Sequence, residues 1–317
     1  MIDYVRGIDQ LPKDTRLAVT IGVFDGVHRG HQQVFGVLEE TARRLGAMPV
    51  VVTFDPHPDA VVAGQAPDML MDRRERIERI SRLVGGLVVL QTFDEVFRRT
   101  TAEEFLERIG AGRNLAALVM TRVSAFGRDR GGTVPVLRDM SQTADWELIE
   151  APTLDSGGAR VSSARTRQLV SEGQLQTAAD LLSRPFALVG SVVHGEQRGR
   201  ELGFPTANLD FGQPVALPPD GIYAARASWG GPAVLDPYDM ADAVISLGTQ
   251  PTFGGRVRLM EVHLLDRDVD LYGQRMRIQF CTFLRGQRRY DSADELVVQM
   301  GHDVQRAREK LDACETC

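Results

Sequence analysis

Cysteine is scarce, with three residues in a chain of 317. Three thiols cannot build the disulfide framework of a small secreted scaffold. Cys281 falls in the alternating stretch RIQFCTFL and is expected to pack as a small core residue. Cys314 and Cys317 form a CxxC at the C-terminus, but no second CxxC or paired histidine supplies the four ligands of a structural zinc. Long apolar runs are missing: nothing approaches the roughly 18 residues of a membrane span. The opening MIDYVRGIDQLPKDTR has no apolar centre of a secretory signal, so a cytoplasmic protein is expected. Positive charge is not in excess, because 37 Lys and Arg face 43 Asp and Glu for a net charge of −6. Broad attraction to nucleic acid or to an anionic membrane is therefore not expected, and any phosphate chemistry must be local. Internal repeats and low-complexity tracts are also absent. What is present, 43% hydrophobic and 25% charged residues over 317 positions, suits a globular chain of two domains.

The first half alternates β-branched runs with amphipathic stretches. TRLAVTIGVF (15–24), AMPVVVTF (47–54), LVVLQTF (87–93) and LAALVM (115–120) predict strands. HQQVFGVLEETARRLG (31–46) predicts a helix stopped by Gly46, and 72–84 and 101–112 are expected to be helical. This alternation predicts an α/β domain with a doubly wound parallel sheet. EAPTLDSGGAR (150–160) breaks the pattern, and one helical segment is expected at about 163–182. After Arg184-Pro185 come FALVGSVV, GIYAARASW, ADAVISLG, LMEVHLL and MRIQFCTFL, short strands without long helices between them. They predict an antiparallel barrel or sandwich, with domains at 1–183 and 184–317. A final amphipathic helix (292–311) opens with Ser292 three residues before Glu295, the spacing of a capping box.

Two segments carry chemistry. GVFDGVHRGH (22–31) runs from a strand end into a helix start, where ligands of α/β sheets bind. His28 and His31 are one helical step apart beside unpaired N–H groups, an arrangement suited to polyphosphate. The segment from Gly190 to Leu209 carries glycines at 195, 199 and 203, which let backbone N–H groups approach a ligand. Arg198 and Arg200 add cationic donors. Thr206 and Asn208, two residues apart, present oxygens on one face if the backbone is extended, as Mg²⁺ bound to nucleotide phosphates requires.

GVFDGVHRGHQ and TFDPHP (53–58) resemble the FMN adenylyltransferase module of bacterial FAD synthetases. The second set of motifs resembles riboflavin kinase: the glycine-rich segment, GTQPTFG (248–254), Glu261-Val-His263, DLYG (270–273), Arg285 and Asp294-Glu295-Leu296. The order of modules is similar to the bifunctional prokaryotic riboflavin kinase/FAD synthetase family. That resemblance implies a six-stranded kinase barrel, conversion of riboflavin and ATP to FMN, and conversion of FMN and a second ATP to FAD and pyrophosphate. It implies catalytic roles for Glu261, His28 and His31. It implies ATP or phosphate contacts from Gly22, Phe24, Asp25, Gly30, Ser162, Ser163, Arg167, Gly195, Arg198, Gly199, Arg200, Gly203, Pro205, Thr206 and Asn208. Flavin contacts would come from Phe54, Pro56, His57, Pro58, Phe126, Gly127 and Arg285, and Mg²⁺ would sit on Thr206 and Asn208. The expected partners are these small molecules, with a homo-oligomer compatible and no nucleic acid or membrane.

Departures stand beside the resemblance. Where the family has G-x-D/N-F-x-F-G, this chain reads TRVSAFG (121–127), with Thr121 for glycine, Val123 for Asp or Asn and Ser124 for the aromatic. Valine offers no lone pair to a metal or phosphate. Ala164 replaces a threonine of the phosphate loop, and Gln250 an asparagine. Two rival expectations follow: a kinase whose first domain makes no FAD or uses another flavin or nucleotide, and a flavin- or nucleotide-binding regulator without turnover.

Overall fold

The β-branched runs of the first half form the strands expected of them. The computed structural model describes residues 4–195, 199, 202–252 and 255–314, without the side chains of 250–252 and 255–257. Two units are present, Met1–Met69 with Arg73–Thr166 and Leu70–Asp72 with Arg167–Cys317.

The first unit is built on β1 (Tyr4–Arg6), β2 (Arg16–Ile21), β3 (Met48–Asp55), β4 (Leu87–Thr92), β5 (Asn114–Thr121) and β6 (Glu147–Ala151). Their order is β1-β4-β3-β2-β5-β6, and every neighbouring pair is parallel. Val50, Val51 and Val52 are fully buried in succession, which shows that both faces of the sheet are covered. The chain winds outward from β2 through β3 and β4, then restarts on its other side at β5. The crevice between the carboxyl ends of β2 and β5 is thus the place for a ligand. Helix α1 (Arg29–Leu45) buries Val34, Phe35, Leu38 and Ala42, and ends at Gly46 in the left-handed conformation, φ 58°. Helices α2 (Arg73–Leu83) and α3 (Ala102–Gly110) occupy the two further stretches expected to be helical.

Two local expectations change. The segment 150–160 contains the end of β6 and a small hairpin of Asp155–Ser156 with Ala159–Arg160, turned by Gly157 and Gly158 at φ 58° and 74°. The helix expected at 163–182 is two, α4 (Ser163–Ser171) and α5 (Leu175–Leu182). Gly173, φ 75°, donates to Val170 O, and Gln174 N donates to Leu169 O, so α4 closes in a Schellman motif. Periodicity hid this break because Leu181 and Leu182 resume it.

The second unit contains β7 (Ala187–Val193), β8 (Ala207–Asp210), β9 (Gly221–Trp229), β10 (Asp239–Thr252), β11 (Gly255–Leu264) and β12 (Arg275–Arg285). They close an antiparallel barrel in the order β7-β8-β11-β10-β9-β12, which resolves the choice between barrel and sandwich. Hydrophobic patterning marked five of the six strands. The sixth, β8, has four residues, too few for periodicity to show. Helix α6 (Ala293–Asp312) covers part of the outer surface, packing Ala307 and Leu311 against Ile222, Ala224, Val244 and Leu284. Its cap is half of the expected box. Ser292 Oγ accepts from Glu295 N at 3.2 Å, but the Glu295 carboxylate accepts from Asp291 N at 3.4 Å and not from Ser292 N.

Candidate functional sites

At the end of β2 the chain makes a tight turn that only certain residues fit. A Cβ on Gly22 would lie 2.9 Å from the Phe24 ring. Phe24, Gly26 and Val27 hold positive φ, 55°, 82° and 43°. For a β-branched valine this conformation is strained by about 1–3 kcal/mol, which the surroundings must hold in place. Thr53 Oγ1 donates to Val23 O at 2.9 Å, Gln32 Nε2 to Val27 O at 2.9 Å, and Ser163 Oγ to Asp25 O at 2.8 Å. The last bond joins the serine loop to the histidine turn.

His28 caps α1, its Nδ1 accepting from His31 N at 3.3 Å, so the proton of its neutral ring sits on Nε2. The two imidazoles stack at 3.6 Å between centroids, and Phe24 meets His31 edge-on at 5.2 Å. Among the described residues, His31 Nδ1 is buried with no hydrogen-bond partner. Burial, then the adjacent His28, hold the His31 pKa well below the usual imidazole range. The ring is therefore neutral near pH 7, a donor or acceptor and not a standing cation.

These groups border a cavity of about 660 Å³ at the carboxyl end of the sheet. Gly22, Phe24, His28, Gly30, His31, Phe54, His57, Pro58, Phe126, Gly127, Ser162 and Ser163 all line it, as does Val123, which is 45% exposed. Ser124 Oγ lies 2.7 Å from Thr121 Oγ1, so the hydroxyl at the aromatic position is tied to its own turn. Asp25 is buried beneath the turn and, like Pro56, does not line the cavity. Arg167 falls in the second unit. Sequence reading singles out Phe54 and Phe126 but misses Phe93, Phe97 and Phe105, which join them in the cavity's aromatic wall. Phe54, Phe93, Phe97, Phe105 and Phe126 contact one another in series, with centroids 5.5–5.9 Å apart. Phe93 follows the carboxyl end of β4, the end of the sheet at which ligands of α/β folds bind. Arg98, Arg130 and Arg160 add charge to the lining.

In the barrel, Asn208 pairs with Val193 on one side and Glu261 on the other, and Glu261 pairs with Ser246. Met260 and Val262 are buried, so the intervening Glu261 points away from the barrel interior. A Cβ on Gly195 would come within 2.0 Å of Asn208 Nδ2, and one on Gly199 within 2.4 Å of Phe204 O and 3.3 Å of Thr206 Oγ1. The loop backbone thus lies directly on both expected metal ligands, with no room for a side chain. Gly203 takes φ 83°, and Pro205 O receives a bond from His263. Arg198, Arg200, Phe253, Gly254 and Cys317 lie outside the described residues, as does the Gln250 side chain.

Arg285 is held differently from the other expected site residues. Its Nε lies 2.9 Å from Asp303 Oδ1, its Nη2 2.5 Å from Asp303 Oδ2, and its Nη1 3.0 Å from Gly286 O. The two side chains are 12% and 7% exposed. Beyond it Gln287 Nε2 donates to Ser246 Oγ at 3.2 Å and to Leu247 O at 3.0 Å, so this segment reaches the strand next to Glu261. Removing one partner of a buried pair costs about 3–5 kcal/mol. Arg285→Met should lower the stability of the barrel by that order in urea unfolding, and adding Asp303→Leu should recover most of it. Unchanged unfolding in Arg285→Met would show the pair contributes nothing.

Comparisons with known proteins bear on the two domains as wholes. A family model described as riboflavin kinase matches residues 182–311, and one described as FAD synthetase matches residues 10–165. The bifunctional riboflavin kinase/FMN adenylyltransferase of Escherichia coli (strain K12) is 32% identical over 98% of this chain and 97% of its own. The Pseudomonas fluorescens and Bacillus subtilis (strain 168) proteins of the same name are 33% and 29% identical, covering 96% and 93% of this chain and 96% and 92% of their own. A Streptococcus pneumoniae crystal structure, described as a macrolide-efflux protein, matches with TM-score 0.81 and 28% identity over 97% of this chain and 99% of that one. That likeness is one of fold. Among the described residues no helix is long and apolar enough to cross a membrane. The shared domains, their order and the near-complete coverage make this chain a member of the bifunctional riboflavin kinase/FMN adenylyltransferase family.

Proposed function

We propose that the second unit moves the γ-phosphoryl group of ATP to the ribityl 5′-hydroxyl of riboflavin, with Glu261 taking the hydroxyl proton. The observation that carries this reading is the register Asn208–Glu261, with Gly195 closed over Asn208. A phosphate-side carboxamide and a proton acceptor thereby share one surface of the barrel, as a reaction governed by positioning requires. The hydroxyl of Thr206 and carboxamide of Asn208 are hard oxygen donors suited to Mg²⁺, which takes few protein ligands and completes its shell with phosphates and water. Bound there, Mg²⁺ would neutralise charge on the transferring phosphates. Gly195, Gly199 and Gly203 would bring backbone N–H groups to the nucleotide, and Arg198 and Arg200 would add charge. Arg285 would serve the flavin side through the Gly286–Gln287 segment it anchors, since its guanidinium is bonded to Asp303.

The first unit joins AMP from a second ATP to FMN and releases pyrophosphate. His28, His31, Gly22, Phe24, Gly30, Ser162 and Ser163 are assigned to the nucleotide, with Asp25 positioning Ser163 through its carbonyl. The phenylalanine wall, with His57, Pro58 and Gly127, is assigned to the flavin ring, because aromatic faces take offset or edge-on ring contacts. The functional modules are set at 1–183 and 184–317, with both reactions in the cytoplasm.

A second reading, a first unit without FAD synthesis, is motivated by Val123 facing the cavity where a polar group would serve a metal. Purified protein given riboflavin, ATP and Mg²⁺ should form FMN, and given FMN and ATP should form FAD with one pyrophosphate per FAD. No FMN across a range of metals and pH overturns the kinase assignment; FMN without FAD selects the second reading.

A further inference from the structure

We propose that His263 is a positioning residue for the nucleotide side of the kinase, an inference that rests on the riboflavin kinase reading above. Strands β8 and β11 pair through Asn208–Glu261 and Ala207–Val262. Continuing that register would bring Thr206 opposite His263, but Pro205 comes next and has no N–H to extend a ladder. Backbone pairing ends there, and the His263 side chain takes it one step further. Its Nδ1 lies 2.8 Å from Pro205 O. A carbonyl oxygen can only accept, so Nδ1 carries the proton and donates. The same ring meets Phe204 edge-on, with centroids 5.4 Å apart at 66°. One imidazole therefore holds Phe204 by its ring and Pro205 by its carbonyl.

The segment so held is the floor of the glycine loop. Phe204 N donates to Gly199 O at 2.8 Å. A Cβ on Gly199 would strike Phe204 O at 2.4 Å and press on Thr206 Oγ1 at 3.3 Å, so the Gly199 backbone packs directly on both. A shift of Phe204–Pro205 therefore carries the Gly199 backbone and the Thr206 hydroxyl with it, and both are assigned to ATP. Two residues from Glu261 on the same face of β11, His263 acts through this segment and does not exchange a proton with substrate.

In the full-length chain, His263→Ala should raise the ATP KM for FMN formation about three- to tenfold, the worth of one neutral hydrogen bond. The riboflavin KM should be unchanged and kcat should stay within about twofold, as expected when ground-state and transition-state binding are lost together. His263→Asn, whose amide N–H replaces Nδ1–H, should recover the ATP KM. His263→Gln, whose amide falls at the Nε2 position, should not. Calorimetric titration with ADP and Mg²⁺ should show the same order of affinities without turnover. Equal behaviour of the Asn and Gln variants, a fall in kcat at constant ATP KM, or an unchanged His263→Ala overturns the proposal. Wild-type protein that forms no FMN overturns the kinase reading instead. The calorimetry then decides the His263 claim alone, and equal ADP affinity in wild type and His263→Ala overturns it.

Discussion

Glu261→Gln is expected to lower kcat for FMN formation by about 10²–10⁴-fold, the usual contribution of a positioned general base. Glutamine keeps the length and the hydrogen-bonding reach of glutamate but cannot accept the 5′-hydroxyl proton. Glu261 lies on β11 between the buried residues Met260 and Val262, with Asn208 and Ser246 as cross-strand partners. Its side chain leaves the barrel interior, so the core is unchanged, and the stability change should stay within about 0.5 kcal/mol. FMN adenylylation, assayed by supplying FMN directly, should proceed at the wild-type rate, because Glu261 belongs to the second unit. The measurement is initial FMN formation by chromatography at saturating ATP and riboflavin, beside an unfolding curve. A variant that retains more than about a tenth of wild-type kcat would remove Glu261 from the role of base.

Much of this organisation is legible in residue order, and the exceptions have specific causes. Strands such as Val50–Val52 are buried on both faces and therefore read as continuous apolar runs. The Gly22–His31 turn is legible because its backbone demands glycine at 22, where a Cβ would strike Phe24. Asn208 and Glu261 each stand out in the sequence, yet their adjacency depends on a barrel register between distant segments. Phe93 and Phe97 were hidden because aromatic residues near a strand end read equally well as core. The engagement of Arg285 was hidden for a similar reason. Asp303 lies in the middle of an amphipathic helix, where a carboxylate reads as solvated, but it is 5% exposed and bound to that arginine. Gly173 lies between two helical stretches of the same periodicity, and only its positive φ reveals the break.

His31→Ala is expected to lower FAD formation from FMN and ATP by about 10²–10³-fold, the cost of losing one preorganised donor to a developing charge. His31 is stacked on His28 and packed against Phe24, and its Nδ1 is buried without a partner among the described residues. An unpartnered polar atom in such a place costs stability unless a ligand completes it, which is why it is assigned to a phosphate oxygen. Its pKa is held well below the usual imidazole range, first by burial and then by His28. Lowering the pH through the ordinary imidazole range near 6.5 should therefore not charge this ring in the free enzyme. The His31-dependent part of kcat/KM for FMN adenylylation should accordingly show no break there. The ring enters the reaction neutral, and its interaction strengthens as negative charge gathers on the departing pyrophosphate. That difference between ground and transition state accelerates the step, so the loss should appear mainly in kcat and not in the KM for ATP. FMN formation from riboflavin in the same variant should remain at the wild-type rate. If FAD formation in His31→Ala instead matches wild type, the stacked histidines are not the groups that stabilise adenylyl transfer.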